Sequence, residues 1–244
     1  MKLFFSYPIT LVYYFAYLVV LCTIQPIQWV AFKLFGDRGL KIAFDYVAFF
    51  SLKCNHILGT RFSFENRALI PKNATVIFVS NHQSLLDTAG IIWYLRKFNC
   101  LFVTKKELGK GIPSISYFLR HGKYALIDRS NPKQAIPLIK SLAEYIEKEK
   151  ASAVIFPEGT RSKTGEPKEF AHSGLKILCK FAPSAYVVPI SINNSWKVYQ
   201  QGYFPLSLGH HIVFTVHKPL KASAFYFEDL MELTEKTIVQ GVKL

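Results

Sequence analysis

Charge is missing from the N-terminal stretch: no Asp, Glu, Lys or Arg stands between Lys2 and Lys33. A helix there has no charged face to turn to water, which excludes an ordinary surface helix. Acidic residues are scarce throughout, 16 Asp+Glu against 30 Lys+Arg, leaving a formal net charge of +14. Such a balance suits a polyanionic partner, either nucleic acid or an anionic lipid surface. No zinc-finger spacing, basic helix or aromatic ribonucleoprotein strand is present, so a nucleic-acid partner is not expected. The four cysteines (Cys22, Cys54, Cys100, Cys179) lie far apart without a Cys-x-x-Cys pair. Neither a metal site nor a disulfide framework is expected, and the thiols read as buried ones in a reducing compartment. Internal repeats, low-complexity linkers and a small-residue cleavage site are also lacking, the last arguing against a removed signal peptide.

What is present divides into two parts. A spanning helix needs about 20 apolar residues, and Ile9 to Ile24 come close to supplying them. Pro8 and Pro26 bracket that run, and lysines at both ends leave its orientation undefined. The following segment, residues 37–58, has Leu40, Phe44, Val47, Ala48 and Leu52 at amphipathic helical spacing. A break at Pro26 and Gly36 between two apolar helices predicts a hairpin that enters one leaflet and returns. A single transmembrane anchor is the alternative. Either way, residues 1–58 form an N-terminal membrane module and an anionic phospholipid membrane is the expected partner.

From Thr60 the pattern alternates short strands with helices. Strands are expected at residues 60–64, 75–79, 100–104, 124–127, 152–156, 186–192 and 211–216. Helices are expected after Ser84, at residues 112–119, from Pro132 to Lys148 with Asn131 as N-cap, at 173–181 and at 225–242. This order predicts an α/β domain over residues 59–244, with a mostly parallel mixed sheet flanked by helices. Ligands of such sheets bind beyond the strands' C-terminal ends.

Residues 80–87, Ser-Asn-His-Gln-Ser-Leu-Leu-Asp, follow the second of these strands. A His at the mouth of a strand-to-helix turn, with a carboxylate one turn on, makes a general base. The imidazole takes a hydroxyl proton, while the carboxylate sets the tautomer and stabilises the imidazolium. Positions i and i+5 of a straight helix lie roughly 140° apart, so His82 and Asp87 meet only if His82 precedes the helix and Asp87 occupies its first turn. Ser84-x-x-Asp87 is a capping pattern that permits this. It also supports a plainer reading, in which Asp87 only caps the helix and His82 is a loop residue. Three more strand ends carry cations: Lys105, Arg129, and Arg161 in Pro157-Glu158-Gly159-Thr160-Arg161-Ser162. On one sheet edge these suit an anion, Arg as a fork and Lys as a point charge. Each cation alone also reads as a solvated surface charge, from which Arg161 departs by sitting in a Gly-Thr-Arg turn straight after an apolar strand. Gly159 lets the backbone pass close to a ligand, and Glu158 reads as an ion-pair partner that orients the loop.

These residues resemble the PlsC-type glycerolipid acyltransferases, the 1-acylglycerol-3-phosphate acyltransferases. Asn81-His82 through Asp87 matches their Asn-His-x-x-x-x-Asp motif. Lys105, Glu107, Leu108, Pro113 and Ile127-Asp128-Arg129 match the second motif, Phe156 to Ser162 the third, and Val188-Pro189-Ile190 the fourth. Ser116 departs from the pattern, which carries Gly after the Pro. The resemblance implies that His82 takes the proton of the sn-2 hydroxyl of lysophosphatidic acid and that Asp87 orients it. It implies that the thioester of acyl-CoA or acyl-carrier protein is attacked directly, with no cofactor. Lys105, Arg161 and Arg129 would hold the acceptor phosphate, with Asn81, Glu158, Gly159 and Thr160 shaping the loops. The product would be phosphatidic acid. The expected location is the membrane, catalytic domain on the cytoplasmic side (the inner membrane in a bacterium). Another lysolipid acceptor, such as a lyso-ornithine lipid or lysocardiolipin, is the alternative within this chemistry. A lipid hydrolase would need an activated nucleophile, and no Gly-x-Ser-x-Gly is present. A non-catalytic lipid-binding protein would leave the His and Asp unexplained.

Overall fold

Central strands buried on both faces need continuous apolar runs, and the run before His82 forms one. In the computed structural model, which describes residues 2–122, 124–128 and 131–243, Val76–Ser80 (β2) is buried throughout. Its side chains alternate across the sheet as a period of two requires. Ile77 and Val79 enter one core cluster, Val76 and Phe78 the other.

The other strands are β1 (Arg61–Glu65), β3 (Cys100–Lys105), β4 (Ala125–Ile127), β5 (Ser152–Ile155), β6 (Tyr186–Asn193), β7 (His211–Val216) and β8 (Leu220–Lys221). The sheet runs β1-β7-β6-β2-β5-β3-β4, with β8 on β6. All pairs are parallel except β6 with β7 and β6 with β8, which makes it the mixed, mostly parallel sheet expected. Helices α4 (Pro132–Glu149), α5 (His172–Phe181) and α6 (Phe227–Gly241) cover one face, through residues such as Ile146, Leu178 and Ile238. The first helix, α1 (Lys2–Asn55), and α2 (Leu86–Tyr94) cover the other. The Asn131 side chain caps α4 by accepting the Gln134 N–H, as expected.

Helix α1 is two helices joined at Gly36, whose φ of 59° and ψ of −146° are non-helical. That conformation is open in practice only to glycine. The expected break at Pro26 does not occur: Pro8 and Pro26 both lie inside helix. The two arms fold back on each other around Leu21, Ile24, Leu40, Phe44 and Val47, and α3 (Ile115–His121) packs against them through Phe118 and Leu119. Helix α3 starts later than residue 112 because Ser114 has φ 64°. That residue is tied to the first arm. Its N–H donates to Gln25 Oε1 at 2.9 Å and its hydroxyl to Gln28 Oε1 at 2.8 Å. Ser116, the departure noted above, is buried; its hydroxyl donates to Leu108 O and accepts the Ile112 N–H. All four cysteines are free, but Cys22 is exposed, so the expectation of buried thiols fails there: it lies on the outer side of the apolar arm.

Candidate active site

The chain leaves β2 at Ser80 and turns into α2, and side chains from distant elements hold that turn. Asn81 is fully buried and pairs with the backbone of β6, its Nδ2 donating to Ile192 O at 2.9 Å and its Oδ1 accepting the Ile192 N–H at 2.7 Å. This locks the turn to the neighbouring strand. His82 Nδ1 lies 2.9 Å from Asp87 Oδ2. Asp87 is fully buried, whereas the His82 side chain is 15% exposed. With Nδ1–H donating to the carboxylate, Nε2 carries the lone pair, and it has no hydrogen-bond partner among the described residues. The Phe156 ring stacks on the imidazole at 4.2 Å and 18°, fixing its plane.

The two readings of Asp87 coexist. Helix α2 begins at Leu86, one residue later than Ser84 as N-cap implies. Even so, Asp87 Oδ2 accepts the Ser84 N–H at 2.8 Å, the return bond of a capping box, while Ser84 Oγ accepts the Leu86 N–H at 3.1 Å, one residue short of the usual partner. The same Oδ2 accepts the Gln83 N–H at 2.6 Å. The cap therefore aims the carboxylate at the His.

The loop after β5 closes over the turn. Glu158 Oε1 accepts the His82 N–H at 2.8 Å, and the Ser162 N–H donates to His82 O at 2.7 Å. Glu158 thus ties the loop to the turn through the His82 N–H, and the charge of Lys168 also acts on its carboxylate. Burial pushes its carboxyl up to about 7, against the N–H bonds from His82 and Lys168 that lower it. Its second oxygen is buried and has no partner among the described residues. Gly159 turns the chain at φ 67°, with its N–H bonded to Phe156 O. Nothing lies within 4 Å of the place a Cβ would take, so conformation and not space selects glycine there. Lys168 Nζ ties the loop further, donating to Thr160 Oγ1 at 2.8 Å and Arg161 O at 3.1 Å.

Lys105 and Arg161 follow strand ends of this sheet without a bond to the dyad. Strands β2, β5, β3 and β4 are consecutive neighbours, so β3 ends two spacings from β2, about 10 Å. Counting on from Val79↔Ile155 and Phe102↔Val154 puts Asn81, Pro157 and Lys105 at one level. Lys105 is exposed, Arg161 is half-buried, and neither side chain has a hydrogen-bond or ion-pair partner among the described residues. Neighbouring Lys106 is instead committed to Asp128. Arg129 lies outside the described residues. Among those residues no group of three His, Cys, Asp or Glu is placed to hold a metal. A cavity of about 130 Å³ beside α1, α2 and β1, walled by Phe49, Trp93 and Tyr94, takes in none of the site residues.

Sequence reasoning missed three contributors. Phe156 was read as a strand end and as the first residue of a motif, but not as the ring that stacks on His82. Gln83 spans two loops, its Nε2 donating to Gly165 O and its Oε1 accepting the Ser195 N–H. Ser195, just after β6, is fully buried and its hydroxyl donates to Asp87 Oδ1. No local pattern marks contacts between segments this far apart in the chain.

Three comparisons bear on this arrangement. A model of the family described as Acyltransferase matches residues 61–193. A 1-acyl-sn-glycerol-3-phosphate acyltransferase of Helicobacter pylori is 33% identical over 168 residues, 66% of this chain and 67% of that protein. One of Cocos nucifera is 36% identical over 131 residues, 52% of this chain and only 41% of its own length. The chain thus spans between about two fifths and two thirds of these relatives. The crystal structure of the 1-acyl-sn-glycerophosphate (LPA) acyltransferase PlsC from Thermotoga maritima superposes with a TM-score of 0.82, covering 99% of this chain and 96% of that one. At 22% identity this likeness is one of fold.

Proposed function

The chain belongs to the acyltransferase family, and from that premise we propose that it acylates the sn-2 hydroxyl of 1-acylglycerol-3-phosphate, giving phosphatidic acid. The acyl donor is a thioester, acyl-CoA or acyl-carrier protein. The observation that carries this reading is the His82–Asp87 pair, with Nε2 unengaged at the C-terminal edge of the sheet.

Asp87 holds the Nδ1–H tautomer, so Nε2 accepts the proton as the acceptor oxygen attacks the thioester carbonyl. The tetrahedral intermediate expels the thiolate, and the imidazolium returns its proton to that sulfur. Ester and thiol are the products and the base is regenerated. A thioester is already activated, so proton removal and positioning are the main demands. No acyl-enzyme is needed. The two serines beside the dyad, Ser84 and Ser195, both donate their hydroxyl hydrogens to Asp87, which suits direct transfer. Lys105 and Arg161, whose side chains have no partner among the described residues, take the acceptor phosphate together with Arg129. Asn81, Glu158, Gly159 and Thr160 shape the walls. Residues 1–58 form the membrane module and residues 59–244 the catalytic domain, facing the cytoplasm.

A panel of acceptors and donors on the purified protein tests this. Lysophosphatidic acid is converted to phosphatidic acid, and lysolipids without the phosphomonoester react more slowly. His82→Ala lowers kcat by about 10²–10⁴-fold, the usual contribution of a general base. Activity of the His82→Ala protein within tenfold of wild type sinks the base assignment. Equal rates on uncharged lysolipids sink the acceptor.

A further inference from the structure

The carboxylate of Asp87 has two oxygens, and the structure loads them unequally. Oδ2 accepts three N–H groups, from His82 Nδ1, Gln83 and Ser84. Oδ1 accepts hydroxyls only. One is Ser84, at 3.3 Å, which also receives the Leu86 N–H. The other is Ser195, whose contact is the closer one.

Ser195 is built for that contact. It lies in a short 3₁₀ turn, residues 195–199, after Asn194 bends the chain at φ 67°. Its own N–H is held at 3.1 Å by Gln83 Oε1, and Gln83 Nε2 is held at 3.1 Å by Gly165 O. Strand β6 is in turn fixed to the dyad turn by the two Asn81 bonds. The backbone position of Ser195 is therefore set from both sides of the site before its hydroxyl reaches the carboxylate.

We propose that Ser195 is a positioning residue for the dyad: its buried hydroxyl anchors Asp87 Oδ1 so that Oδ2 stays in the plane of the His82 imidazole. This rests on the acyl-transfer reading above. Three donors crowd Oδ2, and without the Oδ1 anchor the carboxylate can rotate to share them, carrying Nδ1 and hence Nε2 off line. A hydroxyl on a buried carboxylate is also a charge-assisted bond, stronger than a neutral one.

Three readouts separate positioning from mere support. Ser195→Ala lowers kcat about 10–100-fold, the loss that goes with a hydrogen bond to a charged group, while KM for lysophosphatidic acid stays within about twofold. Ser195→Cys, similar in size and a weaker donor, falls between serine and alanine, and Ser195→Thr recovers most of the rate. In a His82→Ala background, Ser195→Ala changes the residual rate less than twofold, because there is no imidazole left to orient. If His82→Ala is itself near wild type, the acyl-transfer reading fails. If His82→Ala is impaired but Ser195→Ala is within twofold of wild type, or if the loss is the same in both backgrounds, only the Ser195 assignment is overturned. Should the alanine protein fail to fold, a cysteine variant with unchanged kcat overturns it equally.

Discussion

Glu158 is the residue whose chemistry departs furthest from its usual behaviour at the site. Its carboxyl sits at about 7 because burial opposes the charged form. The sign of the consequence follows from linkage. Between about pH 4.5 and 7 the folded state holds a proton on Glu158 that the unfolded chain has released, so stability falls as pH rises through that window and levels off above it. Glu158→Gln keeps an oxygen to accept the His82 N–H and cannot ionise. Its melting temperature relative to wild type therefore climbs between pH 5 and 7 and is flat beyond. The rise is roughly 2–4 °C, the shift that accompanies about 1 kcal/mol in a chain of this size. Thermal unfolding across pH 5–8 measures it, and parallel curves for the two proteins refute the assignment. His82, the proposed base, follows the opposite logic. It is kept partly open, since a base must reach its substrate, and the buried half of the dyad is the carboxylate.

Among the elements, the hairpin shows where a local rule ranks below the geometry around it. Proline in a helix interior removes a hydrogen bond and is expected to kink or break it, yet Pro26 sits inside the first arm and the chain turns only at Gly36. Packing decides: Leu21, Ile24 and Gln28 on either side of Pro26 are all buried. Gly36→Ala should destabilise by about 1–3 kcal/mol through backbone strain alone, because no atom lies within 4 Å of the added Cβ. Thermal unfolding in detergent tests this, and an unchanged midpoint contradicts it. The elements that were legible had their cause in neighbouring residues. Asn131 before Pro132 starts α4, the apolar run makes β2, and Ser84-x-x-Asp87 sets the turn that joins His82 to Asp87. What was not legible depends on contact between distant segments. Ser195 meets Asp87 across 108 positions, and the delayed start of α3 answers to Gln25 and Gln28 on the hairpin.

At the scale of the whole molecule, the question is how an arm of this length meets a bilayer. Residues 2–35 span roughly 50 Å at 1.5 Å per residue, more than the hydrocarbon core of about 30 Å, so length alone permits a crossing. The contacts of the arm oppose it. Near its start, Thr10 Oγ1 accepts the Leu206 N–H at 2.9 Å and the Tyr14 hydroxyl donates to Tyr203 O at 2.5 Å. Further along, Gln25 and Gln28 accept from Ser114. The arm is thus fastened at two places to parts of the α/β fold, which cannot follow it into lipid. What remains free is an apolar surface carrying Phe15, Leu18, Ile27, Trp29, Leu34 and Phe35, each about half or more exposed. A hairpin lying alongside the α/β unit and dipping that surface into a single leaflet satisfies both facts. It also leaves the net charge of +14 beside the headgroups. Labels at residue 2 and near the C-terminus should then be reached by a membrane-impermeant reagent from the same side. Salt should slow association with anionic vesicles by screening, yet fail to release bound protein that detergent does release. Labels on opposite sides would establish a true span, and would require the bonds from Thr10, Tyr14, Gln25 and Gln28 to break in the membrane.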